Sequence, residues 1–193
     1  KPHDGCNAVT GAIEVIRRLT QKLHLTASHE SLGKATWAVN HMQSHPSSTH
    51  TIQGRCDITL DRRLLPGDDP EAALAEIEEL VMEVDGLPDP ASGKPWRVEV
   101  EMGPFMYPSL VTEDSPVVQL IDTAAGTMLG AAPERYYAPN AFDQGYLNHM
   151  GIPCANYGAS EDRYAHTDLD MASVERTANT AKVIAYMISD YLG

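Results

Sequence analysis

The order of helical and strand-like patterns in the first 102 residues constrains the fold more than any other feature of this sequence. Apolar residues recur at three- and four-residue spacing in two stretches, which predicts helices over residues 7–23 and 71–84. Strand-like patterns occupy three further stretches, residues 34–39, 55–60 and 96–102. The order helix, strand, strand, helix, strand is that of a βαββαβ sandwich without its opening strand. We expect that strand to lie before Lys1, so that the sequence begins inside a domain.

A change of pattern near Gly103-Pro104 and Tyr107-Pro108 predicts a crossing between two domains, residues 1–102 and 103–193. In the second part, the spacing of apolar residues predicts, in chain order, a helix over 115–129, a strand over 134–138, a helix over 141–150, a strand over 153–157 and a helix over 171–192. Alternation of this kind is typical of an α/β layered domain, of which these residues would form a portion.

The charge balance excludes some classes of partner. Lysine and arginine number 14 against 27 aspartates and glutamates, a formal net charge of −13. A nucleic-acid or anionic-membrane partner would require basic patches, so we expect neither. No apolar run approaches the roughly 20 residues of a membrane helix. Cys6, Cys56 and Cys154 form no C-x-x-C pair, which favours buried thiols in a reducing cytoplasm over disulfides or a cysteine-based zinc site.

Local motifs leave the chemistry open. Eight histidines are present, but the sequence contains no H-E-x-x-H, G-x-S-x-G, phosphate-binding glycine loop or G-x-G-x-x-G. Arg62-Arg63, at a predicted strand end, could bind an anionic ligand or could be surface charge. His166 follows a predicted strand and a glycine loop, from which it could ligate a metal or cap the next helix.

Four segments, spread over almost the whole chain, carry a resemblance to a known family. They are Pro2-His3-Asp4-Gly5-Cys6-Asn7-Ala8, the stretch G-R-C-D-I-T-L-D-R-R-L-L-P-G from Gly54 to Gly67, Asp143 with Gly151-Ile152-Pro153, and Tyr157-Gly158 followed by Ala165-His166-Thr167. In order and spacing they resemble the zinc-dependent aminoacylase, acetylornithine deacetylase and succinyl-diaminopimelate desuccinylase family of metallopeptidases.

This resemblance implies an α/β catalytic domain with two zinc ions (or cobalt or manganese) and an inserted α+β lid of βαββαβ type that forms a homodimer. Residues 1–102 would be most of the lid, and residues 103–193 the C-terminal part of the catalytic domain. His166 would be a metal ligand. Arg63 would hold the substrate carboxylate through paired hydrogen bonds. His50, where the family often has Asn, and Gly158 would also lie at the substrate.

The implied activity is metal-dependent hydrolysis of an amide bond in an N-acyl amino acid or small peptide. The family's remaining metal ligands and general base would lie upstream of Lys1, so we expect this chain alone to be inactive and to hold no stoichiometric zinc. The alternative is a non-catalytic dimerisation module related to the lid. Asp170, where the family has Glu, and Ala159-Ser160, where it has Pro-Gly, are departures that bear on the substrate.

Overall fold

The computed structural model describes residues 1–138 and 140–193, which divide into two units, Lys1–Pro108 and Ser109–Gly193. Helices and strands are mixed in the first unit. In the second, helices are joined by irregular segments. Each unit has its own cluster of buried apolar residues.

Both helices of the first unit begin at side-chain caps. α1 (Ala8–Lys22) follows Asn7, whose Oδ1 accepts a backbone N–H of the first turn at 3.0 Å. α2 (Pro70–Met82) follows Asp69, which accepts a first-turn N–H at 3.0 Å. Pro70 occupies a position where its missing N–H would have had no partner in the helix. Both predicted helices are confirmed, to within one or two residues at each end.

The strands of the first unit form two antiparallel ladders. The paired strands are β1 (Ser28–His29) with β2 (Gly33–Lys34), and β3 (Thr36–His45) with β4 (Arg55–Arg63). In the long ladder, Val39 lies opposite Leu60 and His41 opposite Thr59, so Asn40 has no opposite residue. Asn40 is therefore the extra residue of a β-bulge.

The core of the first unit lies between the two helices and one face of the long ladder. Its buried residues are Val15, Leu19, Leu23, Val81, Val84 and Trp96. Ile58 and Leu60 of β4 pack against this cluster, and Thr59 between them is exposed. Successive strand residues point to opposite faces, so β4 has an inner apolar face and an outer polar face. Each fully buried aliphatic side chain contributes roughly 1.5–3 kcal/mol to the free energy of folding. Together these side chains hold the helices against the inner face of the sheet.

The predicted strand over residues 96–102 is wrong. Trp96 is buried and Val98 and Val100 pack on the core, as the alternation predicts, but no strand of the described residues pairs with this segment. The N–H of Val98 donates instead to Asp85 Oδ1 at 3.0 Å. In a βαββαβ sheet the first strand lies between the third and the fourth. No strand of the described chain occupies that position, so the segment has no ladder partner.

The second unit is built around two packed helices. Its helices are α3 (Pro116–Leu129), α4 (Gln144–His149) and α5 (Val174–Leu192). α3 and α5 meet through Ala124, Ala125 and Val183, which are all but fully buried. α4 covers only the middle of the helix predicted over 141–150. None of the helices in the described residues has the length and apolarity that a membrane crossing demands.

Both strands predicted for the second unit, over residues 134–138 and 153–157, are wrong, because the backbone there is irregular. A side chain takes the place of a partner strand in the second segment. The Asn148 amide donates to Cys154 O at 2.9 Å, and Asn148 Oδ1 accepts the Cys154 N–H at 2.8 Å. An adjacent strand would form the same pair of hydrogen bonds at successive residues. A single side-chain amide can bond only one residue, so the segment does not become part of a ladder.

Candidate functional site

Arg63 ends β4 on the outer face of the sheet, and half of its side chain, 50%, is exposed. Its Nη2 donates to Asp61 Oδ2 at 2.9 Å. Residues two apart in a strand share a face, so both side chains point away from the core. A guanidinium carries five N–H groups, and Asp61 is its only hydrogen-bond partner among the described residues. The rest of the fork is open to a ligand.

Arg62, the other arginine of the sequence pair, lies on the inner face. Its Nη1 donates to Glu76 Oε2 at 2.5 Å and to Ala73 O at 3.1 Å, and only 16% of its side chain is exposed. Arg62 therefore ties β4 to α2. Of the two arginines, Arg62 therefore makes a structural contact, whereas the charge of Arg63 is available to an anionic ligand.

The carboxylate beside Arg63 has a second neighbour. The Asn40 Nδ2 donates to Asp61 Oδ2 at 3.3 Å from the bulge in β3. Directly across the ladder from Asp61 and Arg63 lie Ala38 and Thr36. These small side chains leave the outer face uncovered at this end of the sheet.

A second charge pair lies at the other end of the outer face. Arg55 Nε donates to Asp57 at 2.8 and 3.1 Å, and this bond raises the pKa of Arg55 above its usual value. His45 Nε2 lies 3.5 Å from Asp57 Oδ2. On the same strand, burial and then the charge of Asp57 raise the pKa of the Cys56 thiol. Cys56 is thereby kept protonated and is a poor nucleophile.

His50 lies in the loop between β3 and β4 and is exposed. Gln53 braces this loop, because its Nε2 donates to Pro46 O at 2.8 Å and Ser48 O at 2.7 Å. The loop precedes β4, whereas Arg63 ends it. A strand of nine residues at about 3.3 Å each separates them by about 26 Å. The structure therefore does not bring these two predicted substrate residues together within one copy of the unit.

His166 lies in a braced loop of the second unit. Ser160 bridges Ala172 across the base of the loop, and Glu161 Oε1 accepts from Arg176 Nη1 of α5 at 3.1 Å. These contacts tie both ends of the loop to the start of α5. His166 itself is exposed.

The backbone at His166 has φ 62°, the only positive φ of a non-glycine residue in the described chain. The Thr167 N–H donates to Tyr164 O at 3.1 Å, which closes a turn with His166 in its second central position. A left-handed φ costs an L-residue roughly 1–2 kcal/mol, and such residues cluster at functional sites. Glycine would adopt this conformation without the same cost.

Gly158 and the metal hypothesis receive less support from the geometry. A Cβ added at Gly158 would meet nothing within 4 Å, so nothing in its own unit requires glycine there.

Within the part of the chain that the structure describes, no three His, Cys, Asp or Glu side chains converge on a position that could hold a metal ion. His166 therefore belongs to no group of three or more such side chains among the described residues.

Two residues of the candidate site were missed by the sequence reasoning. The sequence did not single out Asp61, although its spacing of two from Arg63 on a strand signals a same-face ion pair. Asn40 could not be found in this way, because its contact depends on the cross-strand register of β3 and β4.

The first 86 residues match a known protein family. Residues 1–86 match the family described as the peptidase dimerisation domain. A search among curated proteins gave no match for the chain.

Solved structures match over a wider range. The chain resembles aminopeptidase PepT from Bacillus cereus, with a TM-score of 0.60 and 23% identity over 100% of this chain and 47% of that protein. It resembles an M20 family metallo-carboxypeptidase from Sulfolobus solfataricus, with a TM-score of 0.52 and 16% identity over 93% of this chain and 44% of that one. The chain thus spans about half the length of these proteins. The likeness confirms the predicted fold class, α/β with an α+β lid-like domain.

Proposed function

We propose that this chain is the dimerisation domain and adjoining C-terminal part of a peptidase-type hydrolase, which cleaves an amide bond in an N-acyl amino acid or a small peptide with a free carboxylate. The match of residues 1–86 to the peptidase dimerisation domain carries this proposal. The likeness of the whole chain to two metallopeptidase-type folds agrees with it.

Arg63 is proposed to bind the substrate carboxylate. Its fork is half exposed, is held at one N–H by Asp61, and faces an uncovered part of the sheet. A guanidinium with free parallel N–H groups binds a carboxylate through two charge-assisted hydrogen bonds. His50 and Gly158 remain proposed substrate contacts. Because His50 lies at the opposite end of β4, it would contact a different part of the substrate or a different site from Arg63.

His166 is proposed as a metal ligand in the complete enzyme, with zinc the proposed ion. The described residues do not fit a metal centre by themselves, because no group of three or more ligating side chains converges in them. The imidazole could only complete a site whose other ligands come from elsewhere in the protein. The strained φ of 62° and the braced loop support a fixed role for this side chain.

A homodimer through residues 1–86 is the proposed assembly, following the description of the matched family. A cytoplasmic location is retained in the proposal because Cys6, Cys56 and Cys154 are free thiols. The alternative function is a dimerisation module without catalysis. The same family description favours it, because that description names dimerisation and no catalytic step.

The test uses the protein expressed from the complete reading frame that contains this chain. Hydrolysis is measured on N-acetyl-L-alanine and other N-acetyl amino acids, and on small dipeptides and their C-terminal amides. We expect Arg63→Ala to lower kcat/KM for carboxylate substrates about 10- to 100-fold, since a charge-assisted pair contributes roughly 1.5–3 kcal/mol. The amides should lose less than about threefold.

Arg55→Ala is the matched control, because Arg55 is also an outer-face arginine of β4 held by an aspartate two residues away. It should leave both substrate classes unchanged. An equal loss for carboxylates and amides on Arg63→Ala would refute the proposed role. Absence of hydrolysis of every substrate would leave the dimerisation module as the function.

A further inference from the structure

We propose that Asp61 is a positioning residue, which fixes the guanidinium of Arg63 for carboxylate binding and is itself fixed by Asn40 in the bulge of β3. This inference rests on the proposed function, in which Arg63 binds the carboxylate. It adds two residues to that site.

The first step is the single bond between the two charged groups. Asp61 Oδ2 accepts one N–H of Arg63, from Nη2 at 2.9 Å, and leaves the other donors unoccupied. One bond restricts rotation of the long side chain without filling its fork. A side chain that is held before binding loses less conformational entropy when the ligand arrives.

The second step is the support of Asp61. The same oxygen, Oδ2, also accepts from Asn40 Nδ2 at 3.3 Å, and Asp61 is less exposed than Arg63, at 32% against 50%. Ala38 lies opposite Asp61, and Asn40, two residues further along β3, shares the outer face with it, within reach of Asp61.

The third step is the contrast with the other arginines of β4. The Nη1 of Arg62 donates to Glu76 and Ala73, and its side chain is mostly buried. Arg55 bonds Asp57 through Nε and is 74% exposed, and the second neighbour of Asp57 is His45, whose Nε2 lies 3.5 Å from Oδ2. Among the described residues of this strand, only Arg63 combines an open fork with an aspartate that accepts a hydrogen bond from a second side chain.

Charge alone would give Asp61 the opposite effect. A carboxylate next to the fork weakens the positive potential that attracts a second carboxylate. Asp61 is therefore useful to binding only if the gain from orientation exceeds this repulsion. Replacement by asparagine separates the two effects, because the amide oxygen can still accept from Nη2 while the charge is lost.

The experiment titrates the 193-residue chain, with arginine side chains labelled with ¹⁵N, with N-acetyl-L-alanine and with its carboxamide. Binding is read from the Nε and Nη resonances of Arg63. We expect Asp61→Ala to weaken binding of the carboxylate about three- to tenfold, and Asp61→Asn to stay within about twofold of the unchanged chain or to bind more tightly. Asn40→Ala should weaken binding by about twofold. Asp57→Ala, the matched change beside Arg55, should have no effect.

The outcomes separate this inference from the proposed function. If Arg63→Ala loses carboxylate binding but Asp61→Ala binds as tightly as the unchanged chain or more tightly, Asp61 is only a competitor and the inference is wrong, while the role of Arg63 stands. A loss in Asp61→Asn equal to that in Asp61→Ala would also overturn it. If Arg63→Ala has no effect, or if the unchanged chain shows no saturable shift at Arg63, the proposed role of Arg63 fails and the inference with it.

Discussion

Asp89 carries a carboxylate into the core side of the first unit, where only 1% of its surface is exposed. Ser92 Oγ donates to it at 2.7 Å, and Thr10 Oγ1 lies 3.2 Å from its other oxygen. The Ser92 hydroxyl, and after it Thr10 and the backbone N–H groups, hold the pKa of Asp89 below its ordinary value against the opposing effect of burial. The carboxylate thereby joins the start of α1 to the turn before Trp96.

A lowered pKa in the folded state makes the stability of this unit sensitive to acid. The contribution of Asp89 is complete above its unfolded pKa of about 3.9 and is lost as the pH falls through the lower folded pKa. We expect the free energy of unfolding to fall below about pH 4, and to fall less steeply in Asp89→Asn, which is already less stable at pH 7. Urea unfolding followed by tryptophan emission at pH 7, 4 and 2.5 measures this.

Glu78→Gln is the control, since Glu78 is an exposed carboxylate on α2. Its pH dependence should match that of the unchanged chain. Equal slopes for Asp89→Asn and the unchanged chain would show that Asp89 does not contribute to acid sensitivity.

At the same scale, the sequence predicted which residues face outward but not what they touch. Alternation from Arg55 onward places Asp57, Thr59 and Asp61 on the polar face, and the structure agrees, since Ile58 and Leu60 pack on the core. The contact of Asp61 with Asn40 depends on the register that places Ala38 of the opposite strand across from Asp61. Register of this kind is set by long-range packing, which a pattern in one segment does not contain.

Helices were predicted better than strands. Helical hydrogen bonds are local, so the periodicity of α1 and α2 suffices to place them. A strand needs a partner, and the segments 96–102 and 153–157 have strand-like patterns without one in the described chain. Pattern therefore identified the side chains that face the core and could not identify the ladder.

Close packing between α1 and the segment after α2 gives a test at the element scale. A Cβ on Gly11 would lie 3.1 Å from the ring of Trp96, which is fixed by a hydrogen bond from its Nε1 to Asn7 O at 3.1 Å. We expect Gly11→Ala to destabilise the first unit by about 1–3 kcal/mol through overpacking, although alanine favours helix. Urea unfolding followed by tryptophan emission reports this, since both tryptophans lie in residues 1–108.

Gly126→Ala, in the exposed part of α3, is the matched change, because its Cβ would meet nothing within 4 Å. It should stabilise the second unit by about 0.5–1 kcal/mol, measured by circular dichroism. A stabilising effect of Gly11→Ala would mean that the helix and Trp96 do not pack as closely as described.

At the scale of the whole molecule, the likeness to solved structures confirms the α/β fold class that the sequence predicts. The division into domains at residues 1–102 and 103–193 stays a prediction. The candidate site is less complete. Arg63 and His50 belong to Lys1–Pro108, and Gly158 and His166 to Ser109–Gly193. The family resemblance assigns these four residues to one functional site. Contacts within a single unit can only test whether the residues of that unit lie together.

Self-association is the prediction that belongs to this scale. β3 is ten residues long and pairs only with β4 among the described strands, and a long exposed edge invites pairing with a second copy. Sedimentation velocity of the 193-residue chain should show a dimer whose fraction rises with concentration. Met42→Lys, at a half-exposed apolar position of β3 (48%), should weaken dimerisation at least about tenfold.

Met82→Lys, at the end of α2 where the methionine is 39% exposed, is the matched control and should leave dimerisation unchanged. A monomer at every concentration would contradict the dimerisation role. Equal effects of the two lysines would show that the edge of β3 is not the contact.

The segment over residues 96–102 has a consequence for how folding of this chain is observed. Its apolar side chains are packed, but beyond Trp96 and Val98 its N–H groups are absent from the backbone pairings of the described chain. Solvent deuterium exchanges quickly at amides without such protection. Val100 would thus appear packed in a methyl relaxation experiment while its amide exchanges as in a loop, so side-chain packing and exchange protection are separate properties in this part of the molecule.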